Sequence, residues 1–123
     1  MSDTVKLLRE CNSGIQMAVY SIEEILDDVK DEKFKQILKD TLNAHNSLGN
    51  RTHELLSAFD EETKEPNPIA KGMSWMKTNV MLAVDNSDNT VADLMTDGCN
   101  MGVKSLNKYL NKYKAADEVS KDI

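Results

Sequence analysis

Apolar residues recur at alternating steps of three and four along the first half of the chain, and this spacing constrains the fold most strongly. A first run holds Val5, Leu8, Ile15, Val19, Ile22, Leu26 and Val29, with Asn12 filling its one gap. A second run repeats the pattern with polar interruptions, and it holds Phe34, Leu38, Thr41, His45, Leu48, Thr52, Leu55 and Phe59. Such spacing places the apolar side chains on one face of a helix, and Ser2 or Asp3 can cap the first one. A charged bend at residues 30–33 separates the runs. Because neither helix can bury its stripe alone, the two must pack antiparallel.

The second half of the chain predicts further helices. Pro66 cannot continue a helix, whereas Asn67 followed by Pro68 is typical of a helix start, so a short helix is expected over about residues 68–85. The polar stretch that follows supplies caps for another helix over about residues 90–113.

The tail begins a new amphipathic pattern, which predicts a final helix beginning near residue 115. It is either the first part of a longer helix or a short terminal helix that frays. The sequence therefore predicts an all-α fold, with residues 1–123 forming a single helical bundle domain whose last helix is either complete or cut short.

Composition supports helices and excludes several classes of function. Aromatic residues make up 5% of the 123 residues, too few for a strand-rich fold. The net charge of −6 would repel a phosphate backbone, so no nucleic-acid partner is predicted. The chain has no apolar run of membrane-spanning length and no signal-peptide pattern, so we expect a cytoplasmic protein with no membrane partner. In a reducing compartment Cys11 and Cys99 are expected to be two buried thiols.

The two histidines do not match the metal-ligand pattern of helical bundles. Carboxylate-bridged di-iron sites use Glu-x-x-His on two helices, which puts both ligands on one face. Leu42 lies three residues before His45, and Asn50 lies three before His53. Phosphate-binding loops, nucleophile elbows and His-Glu-x-x-His are also missing from the sequence. We therefore predict no enzyme activity, no catalytic residue, no metal ligand and no cofactor.

His45 nevertheless lies on the apolar seam of the second helix, where a hairpin would place it across from Asn12. With Gln16 and Thr41 nearby, the four side chains are predicted to form a buried polar cluster. The favoured interpretation is a hydrogen-bonded network that fixes helix register, as polar seam residues do in coiled coils. The alternative is a metal site built from neutral imidazole and amide oxygens.

Two features of the second half indicate contacts with other segments. Gly98 and Gly102 lie four residues apart on the side of their helix expected to face the core, which predicts a close helix contact; a bound flat ligand is the alternative. The second half also contains Met73, Met76, Met81, Met95 and Met101. These methionines either fill the core or form an adaptable partner surface.

Four short stretches carry a resemblance to a known family. They are Leu8–Cys11, Trp75–Lys77, Ser87–Leu94 and Tyr109–Leu110. In their order along the chain they resemble a ferritin-like family of bacterial four-helix proteins with no assigned function. The resemblance implies a ferritin-like four-helix bundle in which the helix over about 68–85 is the crossover. Ferritin-like relatives often bind iron or manganese through carboxylates.

The leading functional hypothesis is a non-enzymatic structural or protein-interaction module. It is expected to form a homo-oligomer, or to bind a protein partner, through the Met-rich second half. The alternative is an iron- or manganese-binding ferritin-like protein with a degenerate site around His45.

Overall fold

The computed structural model describes residues 2–59 and 87–123, and all regular structure within these ranges is helical. The elements are α1 (Asp3–Ile25), a 3-10 turn (Leu26–Asp28), α2 (Glu32–Ser57), α3 (Asp88–Lys112) and α4 (Glu118–Asp122). The predicted all-α class is confirmed. The expected crossover helix over about 68–85 lies outside the described residues. A final helix is present, and it begins at Glu118.

Each helix begins at a Ser or Asp whose side chain accepts a hydrogen bond from a backbone N–H three residues further on. The pairs are Ser2 with Val5, Asp31 with Phe34, Ser87 with Thr90 and Asp117 with Ser120. These caps satisfy N–H groups that the first helical turn would otherwise leave without a partner. The four helix starts are therefore fixed by local sequence.

The bend between α1 and α2 starts earlier than the apolar stripe suggests. The α-helix ends at Ile25, and the 3-10 turn leads to Val29, whose backbone is extended. Val29 is nevertheless buried, and it belongs to a core cluster with Ile25 and Leu38. The last apolar residue of the stripe thus closes the end of the hairpin rather than extending the helix.

Three apolar clusters show how the helices are arranged around α1. The cluster at the bend combines Ile22, Ile25, Val29 and Leu38 with Val91 of α3. At the opposite end of α1, one cluster joins Val5 and Leu8 to Leu56 of α2, and another joins Leu7 and Cys11 to Tyr109, Tyr113 and Ala116. Both α2 and α3 therefore run antiparallel to α1. It follows that α2 and α3 run parallel to each other.

Hydrogen bonds tie α3 and its C-terminal turn to both ends of the α1–α2 hairpin. At the bend, the two carboxylate oxygens of Asp88 accept from the backbone N–H groups of Lys30 (2.9 Å) and Asp31 (2.8 Å). At the other end, the Thr4 hydroxyl accepts from the N–H of Asp117 at 2.8 Å. These contacts anchor the two ends of the third long helix.

The two cysteines differ in environment. Cys11 is buried, and its burial, followed by the negative charge of Glu10, raises the pKa of its thiol. Cys99 is exposed, so the expectation that both thiols are buried is wrong for this residue. The described contacts of α3 with α1 lie near its two ends, at Val91 and Tyr109, and Cys99 lies between them in the exposed middle of the helix.

No helix in residues 2–59 and 87–123 is long and apolar enough to cross a membrane.

Candidate functional site

A buried polar layer lies between α1 and α2, centred on Asn12. The Asn12 amide is 2% exposed; its Nδ2 donates to Thr52 Oγ1 at 2.8 Å, and its Oδ1 accepts from Gln16 Nε2 at 2.6 Å. Thr52 is fully buried, and its hydroxyl donates to the carbonyl oxygen of Gly49 at 2.9 Å. The buried amide is satisfied from both helices, as a low-dielectric interior requires.

Gly49 lets the two helices approach at this layer. A Cβ at this position would lie 3.4 Å from Cγ2 of Ile15, so α1 passes directly over the glycine. The Gly49 carbonyl oxygen also lies 3.5 Å from Asn12 Nδ2. Thr52 and Gly49 therefore belong to the polar layer, although sequence reasoning did not include either residue.

The structure brings together two of the four residues predicted for the polar cluster. Asn12 and Gln16 are hydrogen-bonded, whereas Thr41 and His45 bond within α2. The Thr41 hydroxyl donates to the Ile37 carbonyl at 2.8 Å, and His45 Nδ1 lies 2.8 Å from the Thr41 carbonyl oxygen. The hydrogen-bond partner of Asn12 on α2, Thr52, lies about two helical turns further from the bend than His45.

The hydrogen bond of His45 assigns its tautomer. A carbonyl oxygen can only accept, so Nδ1 carries the proton and donates to Thr41. In the neutral ring this leaves Nε2 as a hydrogen-bond acceptor and potential metal ligand. His45 is half-buried and is one of the residues that line a groove between α1 and α2.

The groove beside the polar layer has a volume of about 420 Å³ and a mixed lining. Its α1 side is formed by Asn12, Ile15, Gln16, Val19, Tyr20 and Glu23, and its α2 side by His45, Asn46, Gly49, Asn50 and His53. Most of the polar side chains are amides and imidazoles, and the lining also includes the carboxylate of Glu23. Such a lining offers hydrogen bonds but little net charge.

The described residues do not form a metal centre of ordinary composition. Within residues 2–59 and 87–123, no three His, Cys, Asp or Glu side chains are grouped so that they could hold an ion. His45 and His53 are eight residues apart on one helix, a rise of about 12 Å, which is too far for both to bind one ion. An ion at His45 would need the amide oxygens or water as its other ligands.

A second candidate site is an exposed apolar strip on α3, which we call the α3 seam. It consists of Cys99, Val103, Leu106 and Leu110, spaced by steps of four, three and four. Val103 is 60% exposed and Leu106 is 45% exposed, although both are strongly apolar. This spacing is the repeat by which one helix packs along another.

Gly98 and Gly102 lie in the exposed middle of α3. A Cβ at either position would meet no heavy atom of the described residues within 4 Å. Both glycines are exposed, and the contacts of α3 with α1 involve its ends. The close helix contact expected at these glycines stays a prediction.

Comparison of the chain with family models, curated proteins and solved structures finds no match.

Proposed function

We propose that this protein is a non-enzymatic helical interaction module that associates with a second copy of itself through the α3 seam. The observation that carries the proposal is the exposure of Val103, Leu106 and Leu110 on one strip of a long helix. Burying one such side chain contributes about 1.5–3 kcal/mol, so a strip of them favours a partner surface. A repeat of four and three residues suits another helix as that surface.

The four residues of the α3 seam carry no charge, so the strip can pack on a copy of itself. The first part of the helix carries Asp88, Asp93 and Asp97, whereas the second part and the following turn carry Lys104, Lys108, Lys112 and Lys114. At about 100° per residue, Asp97, Lys104, Lys108 and Lys112 lie on the side of the helix away from the α3 seam, so the strip itself is apolar. A closed dimer uses the same patch on both subunits, and such a patch must be self-complementary.

The helix order supports the ferritin-like architecture as part of the proposal. In bundles of this class one long crossover connects two helices, whereas the other connections are short. Here α2 and α3 run parallel. The end of α2 lies beside the start of α1, whereas the start of α3 lies beside the end of α1, at the bend. This relation is the one that a crossover connection produces.

Analytical ultracentrifugation of the wild type and two glutamate variants tests self-association. We expect the wild type to sediment as a dimer at micromolar concentration and Leu106→Glu to sediment as a monomer. Met101→Glu is the matched control, since Met101 is 68% exposed on the same helix but lies outside the α3 seam. This variant should remain dimeric, and far-UV circular dichroism should show native helix content for all three proteins.

Two results would contradict the proposal. A wild type that is monomeric up to several hundred micromolar would remove its basis. Equal weakening by Leu106→Glu and Met101→Glu would show that the α3 seam is not the surface involved.

A second candidate function is metal binding at His45, favoured by the tautomer that leaves Nε2 as an acceptor beside the groove. Elemental analysis of protein purified without chelator tests this alternative. Iron, manganese or zinc near one equivalent, lost in His45→Ala and retained in His53→Ala, would support it. Metal-free wild type would exclude it and leave the interaction module.

A further inference from the structure

We infer that residues 113–123 form a strap that opens ahead of the rest of the fold and thereby controls when the Cys11 thiol meets solvent. The strap consists of the turn that follows α3 and the short helix α4, and it lies against the beginning of α1. It is separate from the α3 seam, so its opening does not depend on self-association.

The strap contributes most of the apolar cover of Cys11. Leu7, Cys11 and Ala116 form one buried cluster, and Tyr109 and Tyr113 pack against it. Within the described part of the chain, the members of this cluster outside α1 come from residues 109–116, and two of them belong to the strap. Burial also raises the pKa of the Cys11 thiol, which disfavours the reactive thiolate. Movement of the strap away from α1 would therefore expose and activate this thiol.

Side chains of the first turn of α1 hold the strap in place. The Thr4 hydroxyl accepts from the N–H of Asp117 at 2.8 Å, and the Asp3 carboxylate accepts from the N–H of Ala115 at 3.2 Å. Ile123 is half-buried against the apolar cluster that joins α1 to the end of α2. These are separate point contacts, whereas α1 and α2 share buried clusters at both ends of the hairpin.

The strap has little stability of its own. The helix α4 has five residues, and an isolated helix shorter than about 12–15 residues is marginal in water. Its ion pair joins Lys121 Nζ to Glu118 Oε1 at 3.8 Å, so it lies within α4 and does not tie the strap to α1. Segments with few buried apolar contacts open at the lowest cost in free energy. The strap should therefore open while α1 and α2 stay paired.

Thiol labelling of Cys99→Ser tests the strap, because Cys11 is then the only thiol in the chain. The rate of reaction with excess DTNB, divided by the rate for the same protein unfolded in urea, measures the fraction of molecules with an open strap. We expect Thr4→Val in this background to raise the fraction several-fold, up to about tenfold, since the Asp117 N–H loses its acceptor. Thr4→Ser is the matched control, because it keeps the hydroxyl and should react at nearly the parent rate.

Leu38→Ala in the same background separates opening of the strap from unfolding of the whole chain. Leu38 is buried in the cluster at the bend, at the opposite end of the hairpin from the strap. This variant should lower the urea midpoint and leave the labelling rate in water unchanged. If it instead raises the rate by the factor by which it raises the unfolded fraction, Cys11 reacts through global unfolding and the strap does not open by itself. Equal rates for Thr4→Val and Thr4→Ser would likewise remove the role of the Thr4 contact.

The urea dependence of labelling gives a test that needs no substitution in the strap or its contacts. Opening of the strap exposes little surface, so the labelling rate of Cys99→Ser should change little at low urea concentration. A slope equal to that of global unfolding would contradict the inferred local opening.

Discussion

At the residue scale, Asn12 determines how α1 and α2 are aligned. Its amide bonds to Thr52 on α2 and to Gln16 on α1, and it is 2% exposed. Sliding α2 by one turn would keep apolar residues opposite one another but would remove Thr52 from reach. A buried amide without partners is destabilising by about 1–3 kcal/mol, so the polar layer selects one register among several that the apolar stripes allow.

Substitutions at Asn12 and Thr52 should show that these two side chains stabilise the fold as a hydrogen-bonded pair. Asn12→Ala and Thr52→Val are each expected to lower the free energy of unfolding by about 1–3 kcal/mol, since each removes one side of a buried hydrogen bond. In Asn12→Ala/Thr52→Val the hydrogen bond between the two side chains is lost only once, so the loss should be smaller than the sum of the single losses. Urea unfolding measures all three. Strictly additive losses would mean that the two side chains do not act as a pair.

Asp88 provides a pH-dependent contact between α3 and the bend. Hydrogen bonds from the N–H groups of Lys30 and Asp31 lower the pKa of its carboxyl from the ordinary value of 3.8, and the Lys30 charge adds to this effect. The folded protein thus binds the proton more weakly than the unfolded chain. The stabilisation is complete above the ordinary pKa and is lost as the pH falls through the folded pKa.

The difference in urea midpoint between wild type and Asp88→Asn tests this sign. Between pH 7 and about pH 5 the wild type should have the higher midpoint, by a constant difference. Below about pH 4 this difference should become smaller. Asp97→Asn is the control, because Asp97 is an exposed carboxylate on the same helix. A similar pH profile for both variants would attribute the effect to the net charge of α3 rather than to the contact at the bend.

At the element scale, Gly49 combines weak helix propensity with close packing. Alanine is favoured over glycine in a helix interior by about 1 kcal/mol, and an added Cβ would meet Ile15 at 3.4 Å, an ordinary contact distance. Gly49→Ala should therefore stabilise the protein by up to about 1 kcal/mol. Gly49→Leu should destabilise it by about 1–3 kcal/mol, because the larger side chain forces α1 and α2 apart.

Gly14→Ala supplies the reference for this comparison. Gly14 is exposed on α1, and a Cβ there would meet no described atom within 4 Å. The increase in the free energy of unfolding of Gly14→Ala therefore reports helix propensity alone. Thermal or urea unfolding of the three variants gives the contribution of the contact by difference. A loss in Gly49→Ala equal to that in Gly49→Leu would show that the interhelical space at Ile15 cannot accept even a methyl group.

The helices and the hairpin could be predicted from sequence because they depend on local pattern. Apolar spacing predicted α1, α2 and α3, and Ser2 caps α1 as expected. The partner of Asn12 could not be predicted, because the stripes remain in contact when one helix slides by a turn of about 5.4 Å. The exposure of Cys99 could not be predicted either. The apolar pattern runs along the whole of α3, and sequence does not show that, among the described residues, the helix packs on α1 only near its two ends.

At the scale of the whole molecule, α1 is the common partner of α2 and α3. The third helix is held at its start by Asp88 and Val91 and near its end by Tyr109 and Tyr113. Between these anchors, residues 96–108 are exposed on all sides among the described residues. A long helix fixed at both ends and exposed in the middle is suited to contact a partner, because its backbone is already ordered before binding.

Self-association predicts that thermal stability depends on protein concentration. If the dimer unfolds directly to separated chains, a tenfold increase in concentration adds about 1.4 kcal/mol to the stability of each dimer. For a dimer of two 123-residue chains this corresponds to a rise in Tm of about 2–4 °C per tenfold increase. Leu106→Glu should show no such dependence, whereas Met101→Glu should follow the wild type. Differential scanning calorimetry between about 10 and about 500 µM measures the change in Tm with protein concentration. A wild-type Tm that does not change over this range would mean that the chain folds without its partner.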